Sequence, residues 1–454
     1  MLVNHLLPEA ARRAEVYLSN INHRRVAPAP EDVARLEQLA RPLPDEPTDP
    51  ADVLKLLDEY GSPATVATAG GRYFGFVIGG ALPASLAATW LAVAWDQNCA
   101  LRVMSPATAR LEDITLDWLR DLFGLPAQTG CGFVTCATMA NFAGLAAARH
   151  ALLARAGWNV EDRGLFGAPE IKVIVGEEVH VSLLKALSMV GFGKARVTTV
   201  PADDQGRMRA EELPTLDDRT IVCIQAGNVN SGAFDPAATI CERAHKAGAW
   251  VHVDGAFGLW AAAAPARAQL TRGLSEADSI ATDCHKWLNV PYDSGLVFVR
   301  EPANLRNAMT FNAAYLQATE AREPSHFTPE SSRRARGVEA WAALRSLGRR
   351  GVAEMIERNC RQAACFAEGL RSAGFTILND VVLNQVLVSF GTPAQTQHVI
   401  DELQKDGTCW CGGTQWHGHT AMRISVSSWV TTDDDVRQSL DAMIRIARRV
   451  LSGS

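Results

Sequence analysis

The sequence predicts an α/β protein with a large doubly wound domain and a small C-terminal α+β domain. Short apolar runs recur through the middle of the chain, each rich in β-branched residues, which is typical of buried parallel strands. These runs are residues 171–175, 221–224, 250–253 and 296–299. Helical stretches such as residues 236–247 lie between them, and this alternation is the pattern of a doubly wound sheet. The pattern changes to α+β after residue 336.

The predicted elements divide the chain into three parts. They are a helical segment (residues 1–69), the large α/β domain (residues 70–335) and the small domain (residues 336–454). The elements expected in the small domain are helices over residues 336–347 and 352–373, strands over residues 382–389 and 422–427, and a final helix from Asp433. At 454 residues the chain is long enough for this organisation.

Composition and charge exclude several classes of function. With 47% hydrophobic and 21% charged residues, the chain has an ordinary globular composition. A net charge of −6 without a basic block argues against nucleic-acid binding. We expect no membrane span and no signal peptide. The ten scattered cysteines are typical of free thiols in a cytoplasmic protein. Cys409, Cys411, His417 and His419 fit no common zinc spacing, so we expect no metal.

The first candidate for catalysis is Lys286, in the motif Asp283-Cys284-His285-Lys286-Trp287. Lysine is rarely buried without a function, and this stretch is rich in Trp, Leu and Pro. A desolvated amine is more readily neutral, and the neutral amine is the form that makes an imine with an aldehyde. A surface lysine with a half-buried stem remains an alternative from this segment alone.

The second candidate is Asp254, which follows the apolar run 250–253. Open α/β sheets bind ligands at the carboxyl ends of their parallel strands. A carboxylate there can pair with a protonated pyridinium, as in pyridoxal phosphate (PLP), and keep the ring an electron sink. Ala256 is small enough to pack flat against such a ring. The alternative is a helix N-cap, which is a common role for aspartate.

Two weaker motifs fit the same cofactor. Ala137 and Thr138 precede a long helical run over residues 139–155. Free N–H groups at a helix start, together with the Thr138 hydroxyl, make a phosphate site, although any helix can begin with a threonine cap. His180 follows the run 171–175 and could stack on a ring, with a capping or core histidine as the alternative.

Together these motifs resemble the group II PLP-dependent amino-acid decarboxylases, which include the aromatic-amino-acid, histidine and glutamate decarboxylases. The resemblance covers most of the chain. Its most specific part is the motif around Lys286, with Asp254 at the family's usual distance before it. Further similar segments are residues 72–76, 105–118 and 227–236. The resemblance implies the PLP-dependent transferase fold type I.

The resemblance also implies a role for each candidate residue. Lys286 carries PLP as a Schiff base, and Asp254 pairs with the pyridine nitrogen. His180 stacks on one face of the ring and Ala256 packs on the other. The remaining cofactor contacts are Ala137, Thr138 and His285 at the phosphate and Asn228 near the ring hydroxyl. The candidate substrate contacts are Phe76, in the early aromatic strip, and Arg423, which matches an arginine that meets the α-carboxylate.

The chain departs from the family at the proton donor. Many of these decarboxylases carry a tyrosine on a mobile loop in the segment that matches residues 319–333, and it protonates the substrate carbon after CO2 leaves. Here the last tyrosine is Tyr315. We expect residues 317–336 to form a mobile loop over the active site, with His326 as its candidate acid and Lys286 as the alternative.

These observations predict a lyase that decarboxylates an L-amino acid to the amine through a Lys286 Schiff base and a quinonoid. The missing tyrosine leaves oxidative deamination to an aldehyde open. An aminotransferase, a carbon–sulfur lyase and a non-catalytic PLP-binding protein are further alternatives. Ala100 stands where aromatic-substrate members often have phenylalanine, so the substrate stays open. The resemblance implies a homodimer, in which the apolar N-terminal helices would pack against the partner.

Overall fold

The computed structural model describes residues 3–310 and 321–453. These residues form two compact units. The first unit contains residues 3–80, 362–378 and 386–453, and the second contains residues 81–310, 321–361 and 379–385. Within these residues, none of the helices combines the length and the apolar character that a membrane span requires.

The helices alternate with strands through most of the chain. In chain order they are α1 (Val3–Asn20), α2 (Pro30–Ala34), α3 (Pro50–Leu56), α4 (Ser62–Ala64), α5 (Pro83–Trp95), α6 (Pro106–Leu122), α7 (Ala137–Arg155), α8 (Val160–Arg163), α9 (Val181–Met189), α10 (Ala237–Lys246), α11 (Pro302–Met309), α12 (Arg336–Ser372), α13 (Pro393–Asp406) and α14 (Asp433–Ser452). Gly348, at φ 60° and ψ 176°, interrupts α12. This break confirms the two predicted helices over residues 336–347 and 352–373.

The second unit is built on a seven-stranded sheet with the order β1-β7-β6-β5-β4-β2-β3. Its strands are β1 (Gly130–Val134), β2 (Lys172–Gly176), β3 (Thr198–Val200), β4 (Thr220–Gln225), β5 (Trp250–Asp254), β6 (Ser279–Asp283) and β7 (Gly295–Val299). Every residue of β1, β4, β5, β6 and β7 is buried. Burial on both faces explains why β4 and β7 contain continuous apolar runs in the sequence.

The prediction that all these runs are parallel strands was wrong for β7. This strand pairs antiparallel with both β6 and β1. Residues 284–294 join β6 to β7 and contain no helix. A parallel crossover needs a dozen or more residues and usually a helix, so this short connection returns the chain in the opposite direction.

The core of the second unit lies between the sheet and α7. Residues of α7, including Ala143, Leu145 and Leu152, pack with the apolar strand residues and with α9 and α11. The many alanines of α7 allow the helix to lie close to the sheet. The first turn of α7 is therefore held at the carboxyl end of the parallel strands, where open α/β sheets bind their ligands.

The first unit contains a four-stranded sheet with the order β10-β11-β9-β8. Its strands are β8 (Thr376–Ile377), β9 (Gln385–Ser389), β10 (Gly412–Trp416) and β11 (His419–Ser425). The pairs β10–β11 and β8–β9 are antiparallel. Helix α13 packs on β11 and on α14. The predicted final helix from Asp433 is confirmed as α14, which begins with a capping box formed by Thr432 and Asp435.

Candidate active site

Asp283, the last residue of β6, connects several of the candidate residues. Its Oδ1 accepts a hydrogen bond of 2.6 Å from the backbone N–H of Ala137, the first residue of α7. Its Oδ2 lies 3.2 Å from Nζ of Lys286 and 3.7 Å from Nε2 of His285. Asp283 is buried. The structure therefore brings Lys286, His285 and the start of α7 together around one carboxylate.

Asp283 was not predicted from the sequence to have a role of its own. The signal that could have found it is its position, because it ends a buried strand in the same way as Asp254 ends β5. The side chain of Lys286 is 21% exposed, whereas Cys284, Trp287 and Leu288 are fully buried. Lys286 therefore extends from a buried apolar turn, and its amine contacts the Asp283 carboxylate.

Asp254 is buried and already holds two hydrogen bonds. Its Oδ2 accepts from Nδ2 of Asn141 at 3.1 Å, and its Oδ1 accepts from the backbone N–H of Ala256 at 3.2 Å. The next helical turn, Gly258–Ala263, has Phe257 as its N-cap residue, so Asp254 does not cap it. Carboxylates keep lone pairs for further donors beyond two, and Asp254 can therefore accept from a cofactor as well.

The start of α7 is arranged as an anion site. Its N-cap residue, Cys136, is extended and makes no side-chain cap within the described residues. A Cβ atom on Gly295 would lie 2.6 Å from the Cys136 backbone, so only glycine lets this turn rest on β7. The Ala137 N–H is bonded to Asp283, which leaves the following N–H groups and the Thr138 hydroxyl as the donors for a phosphate.

The side-chain oxygen of Asn228 is hydrogen-bonded within the protein, whereas its side-chain nitrogen has no partner among the described residues. Its Oδ1 accepts from the backbone N–H groups of Asn230 and Ser231, at 2.8 and 3.2 Å. Its Nδ2 is buried and has no hydrogen-bond partner among the described residues. A buried donor without an acceptor is costly, so this group fits a ligand oxygen such as a ring hydroxyl.

The two histidines differ in their surroundings. His180 is the N-cap of α9, where its Nδ1 accepts from the backbone N–H of Ser182 at 3.2 Å. Capping fixes the orientation of the imidazole and is compatible with stacking on a ligand. His285 is buried, its Nδ1 accepts from the backbone N–H of Ser294 at 3.1 Å, and its ring lies 4.3 Å from that of Tyr292. Burial lowers the pKa of His285, which favours the neutral ring.

Residues 321–335 do not form the mobile loop that the sequence predicted. Arg322 and Arg333 both bind the buried carboxylate of Glu112 on α6, at 3.0 and 2.9 Å. The backbone N–H of Ser325 donates to Ala100 O at 3.0 Å. The charged residues suggested a solvated segment, but the arginines turn inward to pair with Glu112. Residues 317–320, in the rest of the expected loop, lie outside the described residues, as does Tyr315.

His326 lies within the short 3-10 helix Pro324–Phe327 of this anchored segment. That helix packs on α11 and on β1, where Phe327 O approaches Gly132 in the middle of the strand. Burial and the nearby Arg306 lower the pKa of His326. The charged groups near His326 are therefore Arg306, Glu323 and Arg322. Lys286 instead lies beside Asp283.

Phe76 and Arg423 belong to the first unit. The Phe76 ring is 60% exposed and stacks 5.8 Å from Trp410, which in turn stacks 5.1 Å from Tyr73. Arg423 lies on β11, and burial lowers its pKa. A desolvated guanidinium binds an anion more strongly than an exposed one does, which suits recognition of a carboxylate.

Comparison with known proteins identifies the family. Residues 41–391 match the pyridoxal-dependent decarboxylase conserved domain. L-2,4-Diaminobutyrate decarboxylase of Acinetobacter baumannii is 26% identical over 389 residues, which cover 78% of this chain and 74% of that protein. Phenylacetaldehyde synthase of Arabidopsis thaliana is 26% identical over 369 residues, which cover 74% of each.

The fold agrees with this match. The crystal structure of Oryza sativa TDC with PLP and tryptamine superposes with a TM-score of 0.89 at 22% identity, covering 98% of this chain and 97% of that one. The likeness confirms the predicted α/β fold with a large sheet domain and a small one. Because the matched domain spans most of the sequence, this chain belongs to the pyridoxal-dependent decarboxylase family.

Proposed function

We propose that this enzyme removes the α-carboxylate of an L-amino acid as CO2 and releases the amine, with PLP held on Lys286. As a member of its family, the chain is a PLP-dependent amino-acid decarboxylase. One observation carries the residue assignment. Lys286, His285 and the first turn of α7 converge on Asp283, at the end of the strand that neighbours Asp254.

Three features of this sheet edge fit PLP. The buried Nδ2 of Asn228 suits the ring hydroxyl oxygen, the uncapped start of α7 suits the phosphate, and the Asp254 carboxylate suits a protonated pyridine nitrogen. When bound, PLP accepts the electrons of the bond between Cα and the carboxylate. The chain's own residues then have to bind the cofactor and the substrate, orient them, and return a proton to the substrate carbon.

Each cofactor contact has a distinct task. Asp254 keeps a proton on the pyridine nitrogen, while His180 and Ala256 hold the two faces of the ring. Thr138 and the N–H groups of the α7 turn bind the phosphate, with Ala137 holding that turn on Asp283. In neutral His285 the proton is on Nε2, because Nδ1 accepts from Ser294. His285 can therefore donate to the phosphate.

Lys286 is the proposed acid for the returning proton. With PLP and substrate bound, the Lys286 amine would be the group available to return a proton to the substrate carbon, and Asp283 Oδ2, 3.2 Å from its Nζ, would help to position it. His326 has weaker support, since the short helix that carries it packs on α11 and β1 and its charged neighbours are Arg306, Glu323 and Arg322. In the first unit, Phe76 and Arg423 remain our candidates for the substrate side chain and α-carboxylate.

A second reaction is favoured by one departure from the family. Residues 319–333, which match the family's tyrosine loop, contain no tyrosine, and the last tyrosine of the chain is Tyr315. Phenylacetaldehyde synthase is among the chain's relatives. Decarboxylation with oxidative deamination would consume O2 and give an aldehyde, ammonia and hydrogen peroxide. We therefore keep this as the alternative to simple decarboxylation.

A panel of L-amino acids assayed for CO2, amine and peroxide tests the proposal. Equal amounts of CO2 and amine without peroxide are expected. Peroxide and aldehyde in place of amine would favour the second reaction, and turnover without CO2 would reject both. Borohydride reduction of the PLP-loaded enzyme should add the cofactor mass to the peptide that contains Lys286, and the mass on another lysine would overturn the assignment.

We also infer a cytoplasmic homodimer. All ten cysteines are free thiols, eight of them buried, which supports a reducing compartment. Apolar side chains are exposed on α1 and α5, among them Leu7, Trp90, Leu91 and Val93. A second copy of the chain would remove such surfaces from water, as in obligate dimers.

A further inference from the structure

A chain of hydrogen bonds runs behind Asp254 through the buried face of β5. Trp250 Nε1 donates to Ser279 Oγ at 2.8 Å, and Ser279 Oγ lies 2.8 Å from His252 Nδ1. His252 Nε2 lies 2.8 Å from Asn141 Oδ1, and Asn141 Nδ2 donates to Asp254 Oδ2 at 3.1 Å. All five side chains are buried.

The geometry of the sheet explains this alignment. Trp250, His252 and Asp254 alternate along β5, so their side chains point to the same face. Ser279 is the residue opposite His252 on the neighbouring β6. Asn141 comes from α7, which covers that face of the sheet. Of these residues only Asp254 was given a role from the sequence.

One direction gives every donor in the chain of hydrogen bonds a partner. The Trp250 indole can only donate, so the Ser279 hydroxyl accepts from it, and the hydroxyl proton finds its own acceptor when it points to His252 Nδ1. His252 then carries its proton on Nε2 and donates to Asn141 Oδ1. This fixes the amide of Asn141 with its N–H group toward Asp254. Burial lowers the pKa of His252 to about 4, so the ring stays neutral.

We propose that Ser279, His252 and Asn141 are positioning residues that hold the Asp254 carboxylate oriented for the pyridine nitrogen of PLP. The inference rests on the proposed role of Asp254. An N–H donor stabilises a buried carboxylate, whereas an amide rotated to present its oxygen would repel it. A rotated amide would also require His252 Nδ1 to donate to Ser279, which would leave the Ser279 proton without an acceptor in this chain of hydrogen bonds.

A close approach of α7 supports the same conclusion. A Cβ atom on Gly144 would lie 2.8 Å from Cε1 and 3.0 Å from Nδ1 of His252, and 3.3 Å from Cβ of Ser279. Only glycine at this position lets α7 lie directly over the imidazole. The backbone of α7 at Gly144 therefore lies against the His252 ring and helps to fix its position.

Ser279→Ala and Asn141→Leu test the network, because Ser279 does not touch Asp254 and Asn141 supplies the final donor. The readouts are the 15N shift of the pyridine nitrogen in enzyme loaded with 15N-labelled PLP, and the Kd of PLP. Both variants should move the signal toward unprotonated pyridine and weaken PLP binding at least about tenfold, as for the loss of a hydrogen bond to a charged group. Ser279→Thr keeps the hydroxyl and should restore both values.

Ser439→Ala is the matched control, since it removes a buried hydroxyl on α14 and should change neither readout. If Asn141→Leu fails to fold, Trp250→Phe removes only the first donor and should shift the signal in the same direction. Unchanged 15N signals in Ser279→Ala and Trp250→Phe would overturn the network. An unprotonated ring nitrogen in the wild type would instead reject the role of Asp254 itself.

Discussion

Asp254 connects the buried network to the proposed cofactor. The first prediction at the scale of residues therefore concerns the charge of Asp254. Asp254→Asn keeps the side-chain size but removes the negative charge. PLP should still bind, while kcat falls at least about a hundredfold, the order lost when a preorganised electrostatic contact is removed. Steady-state kinetics and PLP titration measure both. Asp218→Asn, at an exposed aspartate, should keep normal activity, and a fully active Asp254→Asn enzyme would leave Asp254 with a structural role only.

The proton donor is the second prediction at this scale. Because the short helix that carries His326 packs on α11 and β1, His326→Ala should leave the ratio of amine to CO2 unchanged. That ratio, measured with peroxide in the same reaction, separates a loss of the acid from a loss of binding. A fall in amine with continued CO2 release and rising peroxide would instead make His326 the donor and remove Lys286 from that task.

Residue types and spacing were sufficient to propose Lys286 and Asp254, because a lysine in an apolar turn and a carboxylate after a strand are visible in the sequence. The links between them were not visible. Asp283 bonds Ala137 across 146 positions of sequence, and Asn141 reaches Asp254 across 113. Such contacts depend on which strands are neighbours, and strand order cannot be read from local pattern.

At the scale of elements, the anchored segment 321–335 predicts a dependence on Glu112. Its buried carboxylate holds both Arg322 and Arg333. Glu112→Gln removes the charge and leaves the buried Arg333 without its carboxylate partner, whereas Arg322 keeps Asp113. The free energy of unfolding should therefore fall by about 3–5 kcal/mol, the cost of breaking a buried ion pair. Urea denaturation measures it. Glu242→Gln, at an exposed pair with Lys246, is the control and should have little effect.

The same carboxylate gives a pH dependence with a defined sign. Arg333 and Arg322 hold the pKa of Glu112 below its usual value, against the opposing effect of burial. A carboxyl group whose pKa is lower in the folded than in the unfolded state raises the free energy of unfolding at pH values above its unfolded pKa. This contribution is lost as the pH falls through the folded pKa. The difference between wild type and Glu112→Gln should therefore shrink on acidification. A difference independent of pH would mean that charge is not the cause.

Periodicity predicted most elements, and the errors have physical causes. The apolar runs became strands, and α12 is interrupted at Gly348. The direction of β7 could not be read from its composition, because a buried antiparallel strand and a buried parallel one are equally apolar. The segment 321–335 was misjudged because an arginine that pairs with a buried carboxylate looks the same in sequence as one in water.

At the scale of the whole molecule, the exposed apolar face of α5 predicts self-association. Trp90, Leu91 and Val93 are 44%, 57% and 69% exposed, and contiguous apolar surface of this kind marks interaction sites. Sedimentation velocity should therefore give twice the chain mass of 49.0 kDa. The double variant Leu91→Glu, Val93→Glu should shift the protein toward monomer, because burying two carboxylates without partners is unfavourable. Lys185→Glu, at an exposed residue of α9, should remain dimeric. A wild-type monomer that stays fully active at low concentration would show that this face serves another purpose.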